Sequence, residues 1–236
     1  MFTGRIHTKG ATRAAHTGTT SEAQKAINER RAEDQLRWDL NANFTRGDFH
    51  VVLHYYDKEI TLERAEKDLT KWLGLVRRYM RSQGRPFRFI ACTETKRMTN
   101  VHHHVIMERS DLEALQNLWD KVTGANGNVS LKPLDSRGQH AKLANYLMKE
   151  TRSTMERFRE MGRKVNRFRR SRNLKKPEIK YTVVRAESWT EDPKPRKGSY
   201  LYKFDSGETT RTGQDQNGWP WMEYYEIYSV DRPEPR

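Results

Sequence analysis

The residues of this chain best suited to do chemistry are three consecutive histidines, His102, His103 and His104. An apolar run follows them, so the stretch 100–107 is predicted to be a β-strand. Because side chains alternate across a strand, His102 and His104 are expected on one face and His103 on the other. Two imidazoles at positions i and i+2 can bind one divalent metal ion and leave room for further ligands.

A carboxylate stands close to these histidines in the sequence. Glu94 ends the preceding predicted strand, and a short connection joins it to the histidine strand. Two imidazoles and one carboxylate make a plausible facial site for Mn²⁺ or Mg²⁺. We therefore predict His102, His104 and Glu94 as metal ligands. The third ligand stays open, because His50 and His54 face the same way as each other on an earlier strand and are alternatives to Glu94.

The predicted helix 137–150 carries a candidate nucleophile. Tyr146 and Lys149 are three residues apart on its polar side, where Lys142 and Asn145 also fall. A tyrosine hydroxyl is a weak nucleophile near pH 7, because its pKa is about 10. The Lys149 ammonium is expected to favour the phenolate or to hold a phosphate. Attack on a metal-polarised phosphodiester would give a 5′-phosphotyrosine and a free 3′-OH, and the step could be reversed to rejoin the ends.

Composition and charge limit the partners of these groups. The 236 residues include 45 Lys and Arg against 31 Asp and Glu, a formal net charge of +14. Such an excess favours nucleic acid or an anionic membrane. The sequence shows no signal peptide and no membrane-spanning apolar run, so a soluble, cytoplasmic protein without a membrane partner is predicted. The single cysteine, Cys92, fits a reducing compartment.

The order of predicted elements specifies a fold class. A strand over 49–56, a helix capped by Thr61 and a strand over 87–94 precede the histidine strand. A helix opened by a capping box at Ser110 and a strand over 127–134 follow it. This is a βαββαβ order, so the prediction is an α+β protein with a ferredoxin- or RRM-like antiparallel sheet of the five-stranded type. Two helices are expected on one face, with the other face open for function.

The remaining segments suggest DNA contacts. Residues 157–176 carry ten Lys or Arg and one acid, which is typical of phosphate binding. The predicted division is a flexible arm and helix over 1–45, a catalytic core over 46–153, a basic DNA-binding segment over 154–186, and a linker with aromatic strands over 187–236. Those strands could extend the sheet or form a small hairpin. The predicted DNA-binding residues are Lys142, Asn145, Arg167, Arg169, Arg170, Arg172, Lys175 and Lys176.

In this order, the motifs resemble those of the HUH endonuclease superfamily. The His102–His104 triplet is similar to the His-U-His motif, and the stretch 145–150 (NYLMKE) resembles the motif that carries the nucleophile. The stretches 43–55 and 171–177 and the aromatic C-terminal strands resemble replication-associated proteins of Firmicutes and their phages. The resemblance is specifically to single-tyrosine rolling-circle replication initiators. It implies an HUH endonuclease fold and a metal-dependent nickase that acts on single-stranded origin DNA together with a separate helicase.

Two positions depart from this pattern. The first strand motif usually carries threonines where this chain has Val52 and His54, and the U position is His103 rather than an apolar residue. The metal-binding pair could therefore be His103 with His50 or with His140, although the i, i+2 geometry favours His102 and His104.

Three other functions stay open at this level. The chain could be a non-catalytic, RRM-like nucleic-acid-binding protein such as a repressor, but the histidine strand lacks the aromatics usual for RNA binding. It could be a nuclease that uses water as its nucleophile. A relaxase or transposase would use the same tyrosine chemistry on a different mobile element.

Overall fold

The computed structural model describes residues 22–96, 100–134, 140–177, 192–204, 206–214 and 220–228. The chain divides into two compact units, one formed by residues 32–180 and the other by residues 1–31 together with 181–236. None of the helices in the described ranges is both long and apolar enough to cross a lipid bilayer.

The larger unit is built on a five-stranded antiparallel sheet with the order β4-β1-β3-β2-β5. Its strands are β1 (Phe49–Tyr55), β2 (Phe89–Lys96), β3 (Asn100–Met107), β4 (Gly127–Pro133) and β5 (Arg169–Arg170). The helices are α1 (Glu22–Asn43), α2 (Leu62–Ser82), α3 (Leu112–Thr123), α4 (Ala141–Glu150) and α5 (Arg152–Glu160). The predicted α+β class and antiparallel sheet are confirmed, and the arrangement is compatible with an RRM-like or HUH fold.

Helices α2 and α3 cover one face of the sheet. The apolar residues of α2 recur every three or four positions, so they form one stripe that packs on the sheet. Trp72 and Trp119 are fully buried at the centre of this core. Thr61 caps α2 as predicted, since its hydroxyl accepts a hydrogen bond from the Arg64 N–H at 3.2 Å. The cap predicted for α3 is wrong by one residue, because Asp111 rather than Ser110 accepts from the first turn.

The opposite face is only partly open, which corrects the prediction that it is free. Helices α1 and α4 pack over one end of it and form a second core with apolar strand residues. Ile90, Cys92 and Ile106 point to this face and would otherwise be exposed to water. The end that carries Glu94 and the histidines has polar side chains and is not part of this core. The two helices therefore restrict the functional surface to that end.

His103 lies on the face covered by α2 and α3, where it is fully buried. Its Nε2 accepts from the Tyr55 hydroxyl at 3.1 Å, and its Nδ1 is 3.0 Å from the Thr93 hydroxyl oxygen. Thr93 in turn donates to Glu66 at 2.6 Å, so the Thr93 oxygen accepts from His103. Burial, with smaller effects from Arg169 and the adjacent histidines, lowers the pKa of His103 to about 3. His103 is thus a neutral core residue.

Replacing His103 with Leu is expected to lower the free energy of unfolding at pH 7 by about 1–3 kcal/mol, because the buried Tyr55 hydroxyl loses its acceptor. The unfolded chain binds a proton at this histidine below a pKa of about 6.5, whereas the folded chain does not until about pH 3. The contribution of His103 is therefore complete above pH 6.5 and falls as the pH decreases.

Urea unfolding at pH 7 and pH 5 checks this prediction. The His103→Leu variant should lose less stability than the wild type between the two pH values. His103→Gln, which keeps one donor and one acceptor, serves as the control and should lie closer to the wild type at pH 7. Equal pH slopes for wild type and His103→Leu would contradict the prediction.

The smaller unit contains two separate two-stranded sheets. Strand β6 (Ser199–Leu201) pairs with β9 (Glu226–Tyr228), and β7 (Thr210–Gln214) pairs with β8 (Pro220–Tyr224). The rings of Tyr202, Phe204 and Tyr225 pack together beside them, and the Arg211 guanidinium lies 3.9 Å from the centroid of the Phe204 ring. The aromatic strands therefore form small sheets of their own and do not extend the five-stranded sheet.

Candidate active site at the polar end of the sheet

Three adjacent strands bring the predicted metal ligands together. The register places His102 between Glu94 on β2 and His54 on β1, and it places His104 between Cys92 and Val52. Residues opposite one another in an antiparallel pair project to the same face. The register therefore puts Glu94, His102 and His104 side by side, as the alternation of the sequence predicted.

The buried carboxylate of Glu94 is the centre of this cluster. The His104 Nε2–H donates to Glu94 Oε2 at 2.7 Å, and His102 Nε2 lies 3.9 Å from Glu94 Oε1. Burial by itself would raise the pKa of Glu94. Hydrogen bonds with His104 and Glu150, together with the nearby histidines, outweigh that effect, and the pKa is lowered. Glu94 is therefore ionised near neutral pH.

His50 on β1 supports His104 from behind. Its Nε2 is 2.9 Å from His104 Nδ1, and the two ring centroids are 5.1 Å apart. Burial, then the charges of His104 and Lys132, lowers the pKa of His50 to about 3, so its imidazole is neutral. Since His104 donates through Nε2, its Nδ1 accepts from His50 Nε2–H. The result is a directed chain of hydrogen bonds from His50 through His104 to Glu94.

Helix α4 holds the candidate nucleophile over the histidines. Ala144, Leu147 and Met148 are buried against the sheet face, and this contact fixes the helix. The Tyr146 ring centroid consequently lies 5.6 Å from that of His104 and 6.3 Å from that of His50. Tyr146 stays 41% exposed, so its hydroxyl is open to a substrate.

The sequence analysis missed Glu150, the last residue of α4. Its side chain hydrogen-bonds with Glu94. Such a bond between two carboxyl groups requires one proton, and Glu150 carries it because Glu94 is ionised. The signal in the sequence was its spacing, since Glu150 is four residues after Tyr146 and therefore on the same helix face.

The two carboxyl groups act on Tyr146. Burial, followed by the charges of Glu94 and Glu150, raises the pKa of the Tyr146 hydroxyl. This direction is opposite to the one expected from a nearby Lys149 ammonium. Lys149 is exposed, and no hydrogen bond within the described ranges joins it to Tyr146. A role of Lys149 in holding phosphate stays a prediction.

The alternative histidines have other surroundings. The His54 ring lies 5.2 Å from that of His102, and its Nε2 is 3.2 Å from the Ser130 hydroxyl. His140 Nε2 donates to the Phe44 carbonyl at 3.2 Å, at the start of α4. His103 faces the other side of the sheet, for the reason given above. The alternative pairings of His103 with His50 or His140 are therefore wrong, whereas His54 stays at the edge of the cluster.

The predicted DNA-binding residues fall into three groups. Lys142 and Asn145 are exposed on α4, the helix that carries Tyr146, and Asn145 donates to Glu33 at 3.4 Å. Arg169 and Arg170 form ion pairs with carboxylates of the same unit. The remaining four are Arg167, whose guanidinium contacts the Met148 sulfur at 3.3 Å, and the exposed Arg172, Lys175 and Lys176.

The donor chemistry of the cluster suits a hard or borderline divalent cation, since it offers imidazole nitrogens and carboxylate oxygens. Among the described residues, no three His, Cys, Asp or Glu side chains are already spaced as ligands of one metal ion. Glu94 instead accepts a hydrogen bond from His104. A cation would have to displace the proton of that bond, so metal binding should compete with protons.

Comparison with known proteins gives one match. No curated protein and no solved structure matches the chain significantly. The segment 48–155 matches the model of a family described as replication-associated protein ORF2. It contains the whole cluster, from His50 on β1 to Tyr146 and Glu150 on α4. The match supports a place among replication-initiator proteins and a role for this chain in the initiation of replication.

Proposed function

We propose that the protein initiates rolling-circle replication by nicking single-stranded origin DNA, with Tyr146 as the nucleophile. One observation carries the proposal, namely that α4 places an accessible tyrosine against a buried His–Glu cluster. The family match on residues 48–155 supports the biological setting, and the net charge of +14 suits a DNA substrate.

His102, His104 and Glu94 are the residues that would hold a Mn²⁺ or Mg²⁺ ion in this proposal. Once bound, such an ion polarises a phosphodiester and offsets the charge that develops on it. His50 positions His104, because its ring is held against His104 Nδ1 and limits the orientation of that imidazole. Glu150 adds a second carboxyl group beside Glu94.

In the chemical step, the Tyr146 oxygen bonds to phosphorus while the bond from phosphorus to the 3′ oxygen breaks. The phenolic proton must leave Tyr146, and the departing 3′ oxygen must gain one. Glu94 and Glu150, whose charges already act on the pKa of Tyr146, are the carboxyl groups proposed to take part in this exchange. The products are a 5′-phosphotyrosine and a free 3′-OH, and reversal of the step rejoins the strand.

Lys149, with Lys142 and Asn145, is proposed to contact the phosphates beside the nick, because all three are exposed on the helix of Tyr146. The described residues contain no element assigned here to strand separation, so a separate helicase is proposed as the partner that opens the duplex.

A covalent-adduct assay tests this function. The protein is incubated with single-stranded DNA from the origin region of its own replicon, with Mn²⁺ or with EDTA, and run on a denaturing gel. A metal-dependent DNA–protein band that maps by mass spectrometry to the peptide containing Tyr146 is the expected result. Cleavage without an adduct would identify a nuclease that uses water. Binding without cleavage in any metal would favour a DNA-binding repressor.

A further inference from the structure

A second basic surface lies at the other end of the sheet from Glu94. The end of α2, the turn after it and the segment following β5 line a cavity of about 720 Å³. Its charged lining consists of arginines only: Arg77, Arg81, Arg85, Arg170 and Arg172. Among the described residues, no carboxylate lines this surface, which we call the arginine groove.

Most of these guanidinium groups are available to a ligand. Arg170 pairs with Asp39 at 2.8 Å, and Arg85 donates to the Arg109 carbonyl. In the part of the chain that the structure describes, no ion pair involves Arg77, Arg81 or Arg172. All three are exposed. Like charges that converge without acids cost free energy in the absence of an anion.

Helix stability explains only part of this arrangement. Basic residues in the last turn of a helix interact favourably with its dipole, which accounts for Arg81. Arg172 belongs to a different segment. That segment is anchored to β2, because the Ser171 N–H donates to the Phe89 carbonyl at 3.0 Å and the Phe89 N–H donates to the Ser171 hydroxyl at 3.0 Å. Two independently fixed elements therefore present arginines to one groove.

The chemistry of the groove is that of a phosphate-backbone site. Each guanidinium is a planar, permanently charged fork that matches two phosphate oxygens. Arg77 and Arg81 are one helical turn apart, so their side chains lie on the same side of α2 and can contact neighbouring phosphates. A polyanion with regularly repeated phosphates satisfies this spacing, whereas a single small anion would use only one or two of the arginines.

We propose that the arginine groove binds the backbone of the same DNA molecule whose phosphate enters the active site, several nucleotides away from the nick. Strand β2 links the two places, since Phe89 borders the groove segment and Glu94 belongs to the active site. Five residues of strand span about 17 Å. The identity of the polyanion as this DNA rests on the proposed function, but the binding chemistry of the groove does not depend on nicking.

The test compares two triple variants with the same change in charge. Arg77→Gln/Arg81→Gln/Arg172→Gln removes the groove arginines that have no ion pair within the described ranges. Lys58→Gln/Lys67→Gln/Lys121→Gln removes three exposed lysines that do not line the groove. Affinity for a fluorescein-labelled, mixed-sequence single strand of about 40 nucleotides is measured by anisotropy in EDTA over a range of salt concentrations. Circular dichroism melting verifies that both variants are folded.

The groove variant is expected to bind about tenfold more weakly at moderate salt. The slope of log affinity against log salt should decrease by about 2, because each lost single-strand phosphate contact removes about 0.7. The lysine variant should stay within about twofold of the wild type. Equal weakening by both variants would overturn the proposal, since it would show a diffuse charge effect. Wild-type affinity and slope in the groove variant would overturn it as well.

Covalent-adduct formation separates this proposal from the proposed function. At saturating DNA, the groove variant should form the adduct at the wild-type level, because none of its substitutions lies in the active-site cluster. If the wild type forms no adduct but the groove variant still loses affinity, nicking is refuted and the groove is retained. If the wild type forms the adduct and the groove variant binds normally, only the groove is refuted.

Discussion

Replacing Tyr146 with Phe is expected to abolish the covalent DNA adduct and to reduce nicking by at least about a thousandfold, because the attacking oxygen is gone. The phenyl ring can keep its edge-on contacts with His104 and His50. DNA affinity should therefore stay within about twofold, and the free energy of unfolding should change by less than about 0.5 kcal/mol. The measurements are the adduct gel, anisotropy in EDTA, and urea unfolding.

Tyr56→Phe is the matched control for this variant. Tyr56 is an exposed tyrosine of the same unit, at the end of β1, and within the described ranges it has no ring contact with the cluster. It should nick and form the adduct at wild-type levels. An adduct that persists in Tyr146→Phe would show that another nucleophile is used. Loss of DNA binding in that variant would instead assign Tyr146 to substrate binding.

Replacing Glu94 with Gln is expected to have the second largest effect. Gln keeps the shape of the side chain and can still accept a hydrogen bond from His104, but it removes the negative charge beside two imidazoles. Mn²⁺ affinity should fall by about 100-fold or more, since a proposed direct ligand is lost. Nicking at low Mn²⁺ should fall with it. Calorimetric titration with Mn²⁺ in the absence of DNA measures the affinity independently of activity.

Glu108→Gln provides the comparison for Glu94→Gln. Glu108 is also a buried carboxylate, but it pairs with Arg88 just after β3 ends, away from the histidines. Its replacement should leave Mn²⁺ affinity unchanged even if it lowers stability. Equal Mn²⁺ affinity in the wild type and Glu94→Gln would remove Glu94 from the metal site and return His54 to consideration as the third ligand.

The pH dependence of Mn²⁺ binding adds a further expectation. His104 and Glu94 share a proton through their hydrogen bond, and a second proton lies between Glu94 and Glu150. A cation bound by these groups has to displace protons, so Mn²⁺ affinity should increase as the pH increases from about 5 to about 7.5. Titrations in buffers of different ionisation enthalpy would count the protons released. Affinity that is independent of pH would contradict the proposed ligand set.

Local rules in the sequence were sufficient for the elements that carry the site. The alternation of side chains along a strand put His102 and His104 on one face and His103 on the other, as the structure shows. The three- and four-residue periodicity located α2, and Thr61 caps it. The same local rules failed by one residue at α3, where Ser110 and Asp111 are both good capping residues and tertiary packing selected Asp111.

Tertiary structure alone decided which groups meet. The contacts of His104 with His50, and of Glu94 with Glu150, depend on strand register and on the docking of α4. Neither is encoded by nearest neighbours in the chain. The covering of Ile90, Cys92 and Ile106 by α1 and α4 likewise follows from the burial of apolar surface by distant segments. The sequence by itself determined the types of residue and their faces, whereas long-range packing determined the distances between them, and the proposed chemistry depends on those distances.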